Sequence, residues 1–109
     1  MTGCGAVFIT ASSHEEAEKI AVTLVAKKLA ACAQIISEIK SFFWWQGRLC
    51  KEKEVLLMAK TTQKLFPLLV DEVKAIHSYE VPEIIMLPIQ DAASDYVEWI
   101  REVTAEKPS

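Results

Sequence analysis

The sequence predicts an α+β domain whose elements run β-α-β-β-α-β and are followed by a C-terminal helix. Two patterns predict this order. Short apolar or alternating segments typical of strands occur four times, and apolar residues recur at helical spacing in three other segments. The order is that of the ferredoxin-like arrangement, an antiparallel four-stranded sheet with helices on one face. We expect one such domain to span 1–109, because the chain is the size of a single core.

The first strand and helix follow from local signals. Residues 5–11 form a β-branched and aromatic run, which predicts a buried strand. Ser12 and Ser13 each precede a glutamate by three residues, so either serine can form a capping box at a helix start. Apolar residues then recur at helical spacing and predict a helix over 14–29.

A long hairpin follows the first helix. Residues 32–45 contain neither Gly nor Pro and predict a strand of fourteen residues. Gln46, Gly47 and Arg48 supply a turn, residues 49–54 form a charged edge or loop, and residues 55–61 return as a strand. One alternating set of side chains is expected to face the core through its middle; it consists of Ala33, Ile35, Ser37, Ile39, Ser41, Phe43 and Trp45.

The second helix carries a proline near its start. Thr61 or Thr62 can cap this helix, which continues to His77. Because a proline beyond the first turn removes a helical hydrogen bond, Pro67 predicts a late start near Phe66 or an irregular first turn.

The C-terminal quarter predicts one more strand and one more helix. Residues 83–89 form the strand, and Pro88 predicts that it lies at a sheet edge or bends there. Ser94 or Asp95 is expected to cap the last helix, and residues 106–109 are expected to be a loose tail.

The hairpin is predicted to be longer than the domain that carries it. Fourteen extended residues span about 46 Å, whereas a compact chain of this length is roughly 34 Å across. Its end carries Phe42, Phe43, Trp44 and Trp45, which a lone ribbon would leave in water on both faces. We therefore expect further copies of the chain to cover these rings in a closed ring assembly. Alternatively, a bulge folds the strand back and the rings fill the domain's own core.

Composition excludes several classes of function. Lys and Arg number 12 against 15 Asp and Glu, and a net charge of −3 argues against nucleic-acid binding. No apolar stretch approaches the roughly 20 residues that cross a bilayer, and no signal peptide is evident, so we expect a cytoplasmic protein. An acylphosphatase-like enzyme on this fold would need an arginine-containing anion loop, and residues 10–13 contain neither Arg nor Gly.

Several segments together resemble the CutA divalent-cation-tolerance family. They occur in family order and cover nearly the whole chain. They are KKLAACAQIIS (27–37), WWQGRL (44–49), EVLLMAKTT (54–62), HSYEVPEIIMLPI (77–89) and DYVEWI (95–100).

The resemblance implies a homotrimer of ferredoxin-like domains that extended hairpins join, similar to PII-type signal proteins. It implies a role in tolerance of divalent metal, copper especially, without an established enzymatic reaction. Cu²⁺ or another divalent cation is the implied ligand, and the fold is not expected to require it. The alternative is a PII-like scaffold that senses a small molecule or docks a partner protein.

The resemblance also suggests metal ligands. Some family members are thought to bind copper through a strand-one Cys and two adjacent His before a Pro-Tyr. The matching positions here are Ile9 and the pair Ile76-His77, followed by Ser78, so His77 alone remains. Its alternative role is to bond the last carbonyls of the preceding helix. Cys32 is a second candidate ligand, or a buried small apolar side chain.

A cleft between subunits is implied around Lys60, Tyr79, Glu80 and Glu83. An ammonium, a phenol and carboxylates that converge there could bind a small anion or a hydrated cation. The alternative is a network of ion pairs that holds the trimer together. Trp99 is expected to pack the last helix onto a neighbouring subunit.

Overall fold

The predicted order of elements is confirmed in the computed structural model, which describes residues 1–105. The expected tail, 106–109, lies outside the described residues. Neighbouring strands are antiparallel throughout, in the sheet order β2-β3-β1-β4. The elements are β1 (Cys4–Ala11), α1 (His14–Ala26), β2 (Cys32–Trp45), β3 (Arg48–Thr62), α2 (Phe66–Ile76), β4 (Ile84–Pro88) and α3 (Ser94–Thr104).

Helices α1 and α2 cover one face of the sheet. Alternate residues of the central strands β1 and β3 point toward these helices, and their burial supplies most of the apolar stabilisation of the fold. The buried cluster consists of Val7, Ile9, Ala11, Ala17, Ile20, Leu24, Ala30, Val55, Leu57, Ala59, Leu69 and Val73.

The two helices of the β-α-β-β-α-β unit share one face, as predicted, whereas the additional helix α3 covers part of the opposite face. Cys4 alternates with the core-facing residues of β1 and packs with Val97 and Ile100 of α3. The apolar side of α3 needs cover, and the face away from α1 and α2 supplies it. No helix within residues 1–105 is long and apolar enough to cross a membrane.

The start of α1 differs from an ordinary capping box. Ser13 is the N-cap, and its hydroxyl oxygen accepts the backbone N–H of Glu16 over 3.1 Å. The Glu16 carboxylate does not complete the box at Ser13; it accepts the N–H and the hydroxyl of Ser12, each over 2.8 Å. The two alternative serines therefore act together.

Helix α1 ends at Ala26 rather than at residue 29. Lys28 takes a left-handed conformation with φ of 59°, and the N–H of Leu29 turns back to the carbonyl of Leu24 over 2.9 Å. This is a Schellman-type ending that the apolar periodicity did not indicate, because Leu29 and Ala30 still pack against the core.

Pro67 and Pro88 behave as the sequence predicted. Helix α2 starts at Phe66 with Pro67 in its first turn, where the missing N–H costs no helical hydrogen bond. Strand β4 lies at a sheet edge, and Pro88 is its last residue, opposite Gly5. The predicted caps of α3 are wrong, because Ala93 is the N-cap and no side chain caps the helix.

The two strands of the hairpin remain paired up to the tip. Strand β3 begins at Arg48, so residues 49–54 continue the strand and the loop alternative is wrong. Within residues 1–105 they pair with β2 alone, so the charged-edge alternative is confirmed. Gln46 and Gly47 form the turn with φ of 50° and 77°, the left-handed pair that suits the twist of a two-residue hairpin. The longest dimension of the molecule is 45 Å.

A register shift between Ile36 and Glu38 changes which side chains of β2 share a face. Before the shift Ala33 lies opposite the buried Ala59, as the core-facing set requires. After it Glu38 lies opposite the buried Val55, so the predicted alternation does not continue to Trp45. The shift does not fold the strand back, because β2 remains paired with β3 up to Trp45.

Candidate functional site

The segment that joins α2 to β4, residues 77–83, is called the connector below. It passes over the turn between β1 and α1. The His77 ring nitrogen Nε2 lies 2.7 Å from the carbonyl oxygen of Thr10, and the N–H of Ser78 donates to Glu16 Oε2 over 2.7 Å. Two consecutive residues therefore fix the connector to the end of β1 and to the first turn of α1.

The His77 side chain is fully buried, with 0% exposure, and both of its ring nitrogens are in hydrogen bonds. A carbonyl oxygen only accepts, so Nε2–H donates to Thr10. Nδ1 then accepts the backbone N–H of Tyr79 over 3.0 Å. The ring is thus the neutral tautomer, and it bonds a carbonyl of β1 rather than the last carbonyls of α2. A metal could take either nitrogen only by displacing a protein hydrogen bond.

Glu16 lies beside this ring, with Oε2 3.8 Å from His77 Nδ1. Its side chain is 11% exposed and accepts three hydrogen bonds, two from Ser12 and one from Ser78. Partial burial raises the pKa of this carboxyl, but the bonds from Ser12 and Ser78 outweigh it and lower the pKa to about 2. Glu16 is therefore ionised at neutral pH.

Tyr79 links the connector to the hairpin. Its hydroxyl donates to Glu54 Oε2 over 2.8 Å, and Glu54 is only 6% exposed. Burial, then this bond to the carboxylate, raises the pKa of Tyr79 well above its usual range, so the phenol stays a donor. The sequence analysis missed Glu54 because it treated residues 49–54 as a charged edge or loop; a carboxylate directly before the apolar run 55–59 was the available signal.

The four predicted cleft residues do not meet within one subunit. Tyr79, Glu80 and Glu83 lie on or at the end of the connector, and the two glutamates are exposed. Lys60 lies six positions beyond Glu54 along β3, about 20 Å at the rise of a strand, and donates to Gln34 Oε1. A cleft that contains all four residues would need a second chain.

Cys32 lies at the end of the sheet away from His77, opposite Lys60. Its sulfur is half-buried, 3.6 Å from the hydroxyl of Tyr96, and this contact with burial raises the pKa of Tyr96. Within residues 1–105 no three side chains of His, Cys, Asp or Glu are grouped to hold a metal ion. A single chain therefore presents no ready-made divalent-cation site among these residues.

The aromatic tip consists of Phe42, Phe43, Trp44 and Trp45 and is exposed in the single chain. Phe42 is 65% exposed and Trp44 72%, so the alternative in which these rings fill the domain's own core is wrong. Lys51 lies over the Phe42 ring, with its ammonium 5.8 Å from the centroid. Trp99 is half-exposed beside Tyr96, at 5.5 Å between ring centroids.

Further apolar side chains are exposed on the sheet face that α3 covers only in part. Ile36 of β2 lies opposite Leu56, and Ile85 and Leu87 of β4 lie opposite Phe8 and Ala6 of β1. These side chains and the aromatic tip form two separate exposed apolar areas on one chain. This is more apolar surface than a monomeric protein usually exposes.

The chain has clear relatives. The family model described as CutA1 divalent ion tolerance protein matches residues 5–103. The divalent-cation tolerance protein CutA of Thermus thermophilus is 46% identical over 98 residues, which are 90% of this chain and 95% of that protein. Human protein CutA is 41% identical over 99 residues; the match covers 91% of this chain but only 55% of the human protein.

The fold also matches solved structures. The structure described as the periplasmic divalent cation tolerance protein CutA from Archaeoglobus fulgidus superposes with a TM-score of 0.90 at 44% identity. That match covers 93% of this chain and 98% of the other. The arrangement of three helices on an antiparallel sheet is thus common to this chain and those proteins.

Proposed function

The chain belongs to the CutA1 divalent ion tolerance family, and we propose that it acts in tolerance of divalent cations, Cu²⁺ especially, as a homotrimer that catalyses no reaction. The trimer is a PII-like assembly of three ferredoxin-like domains. The exposed aromatic tip is the main evidence for the assembly. The longest dimension of the molecule is 45 Å, and the hairpin ends in four exposed rings that need a partner surface to cover them.

A second surface is available for the same contact. Trp99 on α3 and the exposed residues Ile85 and Leu87 of β4 form apolar area on another part of the chain. Because two different areas are exposed, copies can make a head-to-tail contact; such a contact forms a closed ring when the rotation between copies closes, and three copies are the smallest ring beyond a dimer. Sedimentation at micromolar concentration tests this assembly, and a 12.2 kDa particle would contradict it.

Cation binding in this proposal depends on the assembly. Each connector carries the exposed Glu80 and Glu83 beside the half-buried Tyr79, and Lys60 joins them only from another subunit. Carboxylates suit hydrated divalent cations, whereas His77 can contribute to a copper site only after one of its two hydrogen bonds opens. Cys32 would contribute from its own place beside Tyr96.

Titration of the assembled protein with Cu²⁺ tests the role of His77. We compare the wild type with His77→Gln, and use His14→Gln as the control because His14 is the other histidine and is exposed. If His77 is a ligand, its replacement weakens Cu²⁺ binding at least tenfold while the His14 variant binds as the wild type does. Equal binding by all three proteins would exclude His77 as a ligand.

A second candidate function is a scaffold that senses a small molecule or docks a partner protein. The observation that favours it is that both His77 nitrogens bond to backbone groups, so protein atoms alone hold the connector at this residue. Native mass spectrometry of protein taken directly from cells separates the two functions: a retained metal supports the first, and a retained organic ligand supports the second.

The compartment is also part of the proposal. We propose a cytoplasmic protein, although the Archaeoglobus fulgidus structure is described as periplasmic. Fractionation of cells that express the full protein, followed by immunodetection, distinguishes the two compartments.

A further inference from the structure

We infer that Glu16 is a positioning residue for the connector: its carboxylate holds Ser78 and thereby sets where Tyr79, Glu80 and Glu83 lie. Nothing in the family resemblance assigns a role to this glutamate. The inference depends on the proposed function only for what the connector binds, since the positioning itself is a property of the single chain.

The two oxygens of Glu16 serve different segments. Oε1 accepts both bonds from Ser12, in the turn before α1, while Oε2 accepts the N–H of Ser78 over 2.7 Å. In an ordinary capping box the glutamate would return to the N-cap, here Ser13. Glu16 instead joins its own helix start to a segment 62 residues away in the chain.

These bonds suit a positioning role because the acceptor is charged and nearly buried. Hydrogen bonds to an ionised acceptor are roughly twice as strong as neutral ones. The Glu16 side chain is 11% exposed, so water competes poorly for its oxygens. Ser78 itself is exposed, and its N–H would otherwise bond to solvent.

The effect of Glu16 continues along the connector. Ser78 lies between His77, whose ring is fixed to Thr10, and Tyr79, whose N–H bonds that ring. Tyr79 then reaches the hairpin through Glu54. Release of Ser78 therefore loosens the segment whose direction decides whether the Tyr79 hydroxyl meets Glu54.

The experiment measures hydrogen–deuterium exchange at the Ser78 and Tyr79 amides in the full chain. The variants are Glu16→Ala, Glu16→Gln, which keeps the side-chain shape, and Glu15→Ala, a control at an exposed glutamate in the same helical turn. We expect Glu16→Ala to speed exchange at Ser78 about tenfold or more, and Glu16→Gln to speed it by less. Glu15→Ala should leave it unchanged.

Rescue by a small carboxylate separates the carboxylate's role from side-chain packing. Sodium formate can occupy the space left in Glu16→Ala and accept the same N–H groups, so it should slow exchange again, whereas sodium chloride at equal ionic strength should not. The proposal would be overturned if formate did not slow the exchange of the Ser78 amide in Glu16→Ala. It would also be overturned if Glu16→Ala exchanged at the wild-type rate, or if Glu15→Ala sped the exchange equally.

A Cu²⁺ titration of the same proteins keeps this inference distinct from the proposed function. If the wild type binds Cu²⁺ at the connector, Glu16→Ala should bind it more weakly and formate should restore the binding. If the wild type does not bind Cu²⁺, the proposed metal role fails, and the exchange measurements still decide the role of Glu16.

Discussion

The hydroxyl of Tyr79 and the carboxylate of Glu54 form a hydrogen bond of 2.8 Å that joins the connector to the base of the hairpin. Glu54 is 6% exposed, which makes it the only buried charged residue in the described part of the chain. A carboxylate in that position needs a donor, because an unpaired buried charge is costly. The pair therefore couples the candidate site to the element that we expect to form the trimer.

Replacement of this donor should destabilise the protein. Tyr79→Phe keeps the ring and removes only the hydroxyl, so Glu54 Oε2 loses its partner and the free energy of unfolding should fall by about 1–3 kcal/mol. Denaturant unfolding at one fixed protein concentration measures the change, since assembly makes stability depend on concentration.

Tyr96→Phe is the matched control, because its hydroxyl meets only the weak acceptor sulfur of Cys32. Tyr96→Phe should lower the free energy of unfolding clearly less than Tyr79→Phe does. A double-mutant cycle with Glu54→Gln assigns the difference to the pair, and additive effects of the two changes would show that the bond contributes nothing.

Glu16 should make stability depend on pH in the acid range. The pKa of Glu16 is about 2 in the folded protein, against an ordinary value of 4.5. The contribution of ionised Glu16 to the free energy of unfolding is therefore complete above about pH 4.5 and is lost as the pH falls toward 2. Glu16→Gln should remove this part of the pH dependence, a difference of about 1–2 kcal/mol between pH 5 and pH 2. Unfolding curves of both proteins over that range provide the comparison, and parallel pH profiles would contradict the assignment.

The aromatic tip should control assembly without controlling the fold. Phe42→Lys combined with Trp44→Lys places charges on the two most exposed rings of the tip, and we expect the sedimenting mass to fall from three chains to one. Circular dichroism should still show a folded domain, because neither ring belongs to the buried cluster.

Val22→Lys is the control for the tip variant, since Val22 is also an exposed apolar residue but lies on α1. It should leave the mass unchanged. If the tip variant sedimented like the wild type, the result would show that the aromatic tip is not part of the interface.

Lys28 offers a stabilising substitution. Its φ of 59° is unfavourable for a residue with a Cβ, whereas glycine adopts it freely. Lys28→Gly should therefore raise the free energy of unfolding by about 0.5 kcal/mol, after the larger chain entropy of glycine in the unfolded state is subtracted. Lys27→Gly, at the neighbouring position with φ of −87°, should destabilise, and the thermal unfolding of the two variants compares them directly.

Removal of metal should not unfold the protein. Two hydrophobic clusters and the sheet account for the fold within residues 1–105, where no grouped metal ligands occur. We expect EDTA to leave the unfolding midpoint unchanged. A clear fall on chelation, reversed by Cu²⁺ or Zn²⁺, would show that a metal contributes to folding.

Errors in the sequence analysis occurred where tertiary contacts overruled a local pattern. Residues 49–54 left a loop and a charged edge open because they are charged, and the loop alternative failed because pairing with β2 keeps them in a strand. Ser94 and Asp95 are good caps by type, but α3 begins after Ala93 because its buried side chains, such as Val97, set where it docks on the sheet. The register shift after Ile36 has no local signature such as a glycine.

Local chemistry determined the order of the elements, the Ser13 cap, the start of α2 at Phe66 and the length of the hairpin with its aromatic end, because each depends on residues a few positions apart. The candidate site depends on partners that are far apart in sequence. Glu16 and Ser78 are 62 residues apart, and Thr10 and His77 are 67 apart. Hydrogen bonds between such residues exist only after the sheet has closed, so only the tertiary structure could decide that His77 is buried, that Glu16 binds the connector and that Lys60 lies elsewhere.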